Sequence, residues 1–158
     1  MASLNWRSVA DELRNHLPAT ILAAFGLFAC AFSIPAIFRA AGFPQPVQSA
    51  LPNAPLWLLV AFIVLLGPWG EELVFRRWSI RAFQWLSLPF LVAALLSTAL
   101  WIVAHVPSTV QAGLIYASTG LILCFLLYKT ERLWTCVVAH MIYNMPAVLL
   151  LLQQPALE

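Results

Sequence analysis

Gly67-Pro68-Trp69-Gly70-Glu71-Glu72-Leu73-Val74-Phe75-Arg76-Arg77-Trp78-Ser79-Ile80-Arg81 is the stretch that decides how this chain folds. It sets two carboxylates and three arginines directly behind the apolar run Leu56–Leu66. An ionisable side chain in a segment apolar enough to enter a bilayer is costly, so it marks function by default. Glu72 and Arg76 are four residues apart in the favourable order, carboxylate first, and face each other on a helix. Glu71 then lies about 100° around that helix, free to face a cavity.

The rest of the sequence says that this surrounding is a membrane. The 158 residues are 63% hydrophobic and 9% charged, and the mean hydropathy is +0.89. A soluble domain carries about 25% charged residues. A net charge of +2 and no basic run longer than Arg76-Arg77 give no footing for a nucleic-acid partner. Cys30, Cys124 and Cys136 are odd in number, lie in apolar stretches and form no CxxC spacing, which speaks against a disulfide framework.

Outward from the opening stretch, the pattern predicts an all-α polytopic membrane bundle of about five spans. Residues 1–17 are polar, with Trp6, Ala10 and Leu13 at helical spacing, and read as an interfacial helix on the membrane surface. Residues 18–158 read as one membrane-embedded domain. Its spans are 18–41, 56 onward with an expected kink or break at Gly67–Gly70, 89–106, 109–128 and 133–152, each near the roughly 20 residues a bilayer needs. Gly42–Pro55 is proline-rich loop. Gly113, Ala117 and Gly120 form a small-residue stripe suited to close helix packing. With the N-terminus inside, Arg7, Arg14, Arg76, Arg77, Arg81, Lys129 and Arg132 lie on the inner side against Arg39 outside, the positive-inside arrangement. The expected location is therefore the bacterial inner membrane, N-terminus cytoplasmic.

Further polar residues follow in the apolar segments. His105 ends the third span, with Trp101 one turn earlier. Glu71 lies 16 residues before the Ser87 turn and His105 18 after it, so an antiparallel hairpin brings them to nearly one height. A poorly solvated carboxylate is suited to take a proton from water. His140 and Asn144, four apart, share one face of the last span. Together they can donate two hydrogen bonds to one oxygen, as an oxyanion hole requires, or ligate a metal. Ser97, Ser108 and Thr109 lie close enough to His105 to raise a serine nucleophile, but no GxS motif frames them.

Three motifs in this order, EExxxR (Glu71, Glu72, Arg76), aromatic-xxx-His (Trp101, His105) and HxxxN (His140, Asn144), resemble the CPBP family. These are the CAAX-protease and bacteriocin-processing intramembrane proteases, related to the endopeptidase that trims prenylated CAAX proteins. The resemblance covers about residues 55–150, the expected catalytic core. It implies hydrolysis of a peptide bond in a membrane-anchored or lipidated protein substrate. By carry-over, Glu71 and His105 activate water, His140 and Asn144 stabilise the oxyanion, and Glu72 and Arg76 support the site. A metal-free glutamate mechanism and a zinc mechanism would use the same residues. The glutamate mechanism, with no cofactor, is preferred because no HExxH helix is present. Two positions depart from the family's habit: Arg77 stands where Gly often follows the motif arginine, and Trp101 where Phe is usual. The departures bear on substrate fit.

The rival reading is a non-catalytic membrane scaffold or immunity-type protein of the same fold. A small proton carrier is a third, and no inverted repeat supports it. Access to the site is expected from the arginine side or laterally from lipid, and the sequence is silent on oligomeric state.

Overall fold

The computed structural model describes residues 6–43 and 55–152, and among these every regular element is helical. Five helices follow in order: α1 (Trp6–Ala40), α2 (Leu56–Trp85), α3 (Phe90–Ala104), α4 (Val110–Thr130) and α5 (Leu133–Leu152). Three are long and apolar enough to cross a membrane, over Ser8–Ala40, Leu56–Trp85 and Val110–Thr130, and α3 and α5 supply shorter apolar helices. Phe25, Phe32, Trp57, Leu91 and Phe125 are among many large apolar side chains turned outward, the surface a lipid solvent selects. The chain is an all-α membrane bundle.

The interior is built from small residues that let backbones approach. Ala24 and Leu27 of α1 meet Leu123 and Leu126 of α4 and Cys136 and Ala139 of α5. A second cluster joins Ile80 of α2, Ala93 and Ala94 of α3, and Cys124 of α4. At Gly120 a Cβ would lie 2.7 Å from Thr98 Cγ2 and 3.3 Å from Trp101 Cε3, so α3 reaches α4 closely only because glycine stands there. Thus α1 and α4 buttress a three-helix face of α2, α3 and α5.

Two local expectations differ from the structure. Residues 6–17 do not form a helix separate from the first span. The chain runs through Pro18 and Pro35 as one helix, and prolines are tolerated in this way in membrane helices. Its start is docked rather than loose: Glu12 Oε1 accepts from Trp134 Nε1 at 3.2 Å and pairs with Arg132 Nε at 3.0 Å. Nor does α2 break at Gly67–Gly70. The helix widens into a π turn over Ala61–Leu66, where Gly67 N–H bonds Phe62 O five residues back, and continues. A Cβ on Gly67 would sit 2.8 Å from that same oxygen, so the widened turn requires glycine. A second π stretch spans Glu72–Ser79. Such π insertions concentrate at functional sites.

The turns fall near Ser87, Pro107–Ser108 and Glu131–Arg132, with Thr109 Oγ1 capping α4 by accepting Ala112 N–H at 3.1 Å. The proline-rich loop falls on 44–54, outside the described residues. The Glu12–Arg132 pair sets the start of α1 beside the α4–α5 turn. A cavity shared by Arg77, Arg81, Glu131 and Leu133 brings the end of α2 there too. The basic residues therefore gather at one end of the bundle, with Arg39 in the far last turn of α1.

Candidate active site

The site grows from the irregularity of α2. In a π register the carbonyl of Ile63 would take the N–H of residue 68, and Pro68 has none. Asn144 of α5 supplies the donor instead, Nδ2 to Ile63 O at 2.9 Å. A backbone group orphaned by proline thus fixes Asn144, and with it the face of α5 that carries His140 one turn earlier.

In the second π stretch the wider turn brings residues four apart nearly into line, and Glu72 and Arg76 lie together, both side chains fully buried, with Arg76 Nε 3.1 Å from Glu72 Oε2. The other oxygen of Glu72 faces His140 Nδ1 at 2.9 Å. A buried carboxylate between a guanidinium and an imidazole is compensated on both sides, the condition for holding charge away from water. The Glu72 contact fixes Nδ1 as the protonated nitrogen of His140 and leaves Nε2 free.

Glu71 is placed differently. Its side chain is 30% exposed and that of His105 26%. Glu71 Oε2 lies 3.6 Å from His105 Nε2 and accepts a hydrogen bond from Trp101 Nε1 at 2.9 Å. His105 caps α3, and its Nδ1 is 2.9 Å from Trp101 O. A carbonyl can only accept, so Nδ1 carries the proton and Nε2 presents its lone pair toward Glu71. Gly70 has nothing within 4 Å of where a Cβ would be, so the backbone beside Glu71 borders open space.

The six residues singled out in the sequence are brought together as two carboxylate–imidazole pairs, one buried and one open, with Arg76 behind and Asn144 beside. Trp101 belongs with them. Its ring lies under the Arg76 guanidinium, 4.8 Å from centroid to Cζ, and its edges meet His105, His140 and Tyr116. The sequence reading assigned it to substrate fit. In the structure it is the donor that aims Glu71, which phenylalanine could not be. The Tyr116 ring, 4.7 Å from that of His105, carried no sequence signal.

The competing serines are not gathered here. Ser97 Oγ donates to Phe75 O, tying α3 to the π stretch of α2, and Thr109 is a helix cap. Cys136 Sγ contacts Leu123 O at 3.3 Å and serves packing. Arg76 is sealed, and the exposed members lie toward the C-terminal end of α3, roughly 22 Å along its axis from Phe90. The carboxylates and imidazoles are split into two pairs, and among the described residues no three His, Cys, Asp or Glu side chains group to hold a metal ion.

The family model described as type II CAAX prenyl endopeptidase Rce1-like matches residues 52–146, which include all three motifs. The chain belongs to that family. It is also similar to a protein of Bacillus subtilis (strain 168) named "Putative membrane peptidase YdiL", with 28% identity over 109 residues. The match takes in 69% of this chain and 43% of that relative, so the chain spans under half of the relative's length. No solved structure matches. Family and fold together make this Rce1-like chain a helical membrane protein.

Proposed function

We propose that the chain is a glutamate-type intramembrane endopeptidase acting on a membrane-anchored or lipidated protein. The observation that carries this reading is the open Glu71–His105 pair, 3.6 Å apart and partly exposed, beside the sealed Glu72–His140 pair. Two acceptors at that separation suit one water, which donates a proton to each. Attack of its oxygen on the scissile carbonyl carbon passes a proton to Glu71, with His105 holding the other. The developing oxyanion is met by His140, which Glu72 holds through Nδ1, and by the amide hydrogen of Asn144 not used on Ile63 O. Collapse of the intermediate breaks the C–N bond, and Glu71 returns its proton to the leaving amine.

The substrate enters laterally past Gly70. The protein lies in the bacterial inner membrane with its N-terminus in the cytoplasm, the orientation the clustered basic end favours. The test is cleavage of prenylated CAAX peptides and of peptides with a C-terminal hydrophobic anchor by purified protein, with and without chelator. Chelator-resistant cleavage supports the mechanism, and the favoured peptide names the substrate class. Cleavage abolished by chelator and restored by zinc overturns the metal-free route.

A further inference from the structure

Arg76 keeps donors that the Glu72 pair does not use. Its Nη1 and Nη2 are buried and without a hydrogen-bond partner, although Nε engages Glu72. The residue lines a cavity of about 190 Å³ at the basic end of the bundle, with Arg77, Arg81, Gln84, Phe90 and Glu131. Neither Arg77 nor Arg81 forms an ion pair among the described residues. Three guanidinium groups stand against two carboxylates, Glu72 and Glu131, so the recess holds unneutralised positive charge where anionic headgroups lie.

Phe90 is also a wall of a second space. A groove of about 340 Å³ runs between α3 and α4, lined by Leu91, Leu95, Leu121, Phe125 and Tyr128. The basic recess and the apolar groove thus share a wall, and the two chemistries occur in the order of one molecule. We propose that this is a binding site for an anionic glycerophospholipid, with the phosphate on Arg76, Arg77 and Arg81 and an acyl chain along the α3–α4 groove. A buried guanidinium with two idle N–H groups is what a phosphate oxygen satisfies in fork geometry. The site lies at the opposite end of α3 from His105 and holds whether or not the chain is a protease. Occupancy also gives the Glu72–Arg76 pair a counterion behind it.

The experiment is titration of the purified full chain, in a zwitterionic micelle, with phosphatidylglycerol, phosphatidylcholine or inorganic phosphate, read as retained lipid by native mass spectrometry and as thermal unfolding midpoint. Phosphatidylglycerol is expected to bind and raise the midpoint. Arg77→Gln/Arg81→Gln should weaken it roughly 30-fold, about fivefold per arginine. Leu95→Trp, which fills the groove, should weaken the lipid too, and serves if the double variant fails to fold. Equal binding of phosphatidylcholine, or the same midpoint shift from inorganic phosphate alone, overturns the proposal. So does unchanged phosphatidylglycerol affinity in both variants.

Discussion

Trp101 Nε1 donates to Glu71 Oε2 at 2.9 Å, joining α3 to α2 across thirty residues of sequence. The same indole lies against Arg76, so one side chain touches both carboxylate–imidazole pairs. A hydrogen bond to a charged group contributes about 1.5–3 kcal/mol. Trp101→Phe keeps most of the packing but frees Glu71 to rotate. Peptidase activity should fall about tenfold or more while the unfolding midpoint moves little. Equal activity in wild type and Trp101→Phe would remove the aiming role.

Asn144 is predicted to have separable duties. Asn144→Ala strands the Ile63 carbonyl, at a cost of about 1–3 kcal/mol. Pro68→Ala restores an N–H at position 68, so Pro68→Ala/Asn144→Ala should regain stability against denaturant. Activity should stay lost in both, because the oxyanion donor is still missing. A double variant no more stable than Asn144→Ala would show that the proline-orphaned carbonyl is not what Asn144 satisfies.

Glu72 and Arg76 are buried together, so removing one partner should be worse than removing both. Arg76→Met leaves a bare carboxylate and is expected to cost about 3–5 kcal/mol. Glu72→Met/Arg76→Met should be milder in unfolding measurements, although inactive, since His140 loses its partner. Greater loss in the double variant would contradict a mutually compensated pair.

Much of this was legible in the sequence. The five apolar segments, the turns at Ser87 and Pro107, and the meeting of Glu71 with His105 follow from hydropathy and equal distances along a hairpin. The π register of α2 was not legible. Pro68 announces a missing donor, but the group that replaces it is Asn144, 81 residues beyond the Ile63 carbonyl it serves, and only packing brings it there. The docking of α1 through Glu12 has the same character, a polar N-terminus whose partner lies 122 residues on. Trp101 was visible as a motif residue, yet the difference between an indole donor and a phenyl ring matters only once Glu71 is beside it.

Gly120 and Gly70 make a matched pair of tests. A methyl at Gly120 meets Thr98 and Trp101 within 3.3 Å, and overpacking of this kind costs about 1–3 kcal/mol. Gly120→Ala should lower both stability and activity by displacing Trp101. Gly70→Ala meets nothing within 4 Å and should leave the fold unchanged. A bulkier Gly70→Leu should raise the KM for a membrane-anchored peptide if substrate passes on that side. An unchanged KM there would place the entry elsewhere.

The central claim, that Glu71 takes the proton from the attacking water, is tested most directly by Glu71→Gln. This near-isosteric variant should keep the Trp101 hydrogen bond, the fold and the unfolding midpoint. Cleavage of the best membrane-anchored peptide should drop to background, with or without added zinc. A folded Glu71→Gln protein that still cleaves that peptide at a rate near wild type would contradict the account.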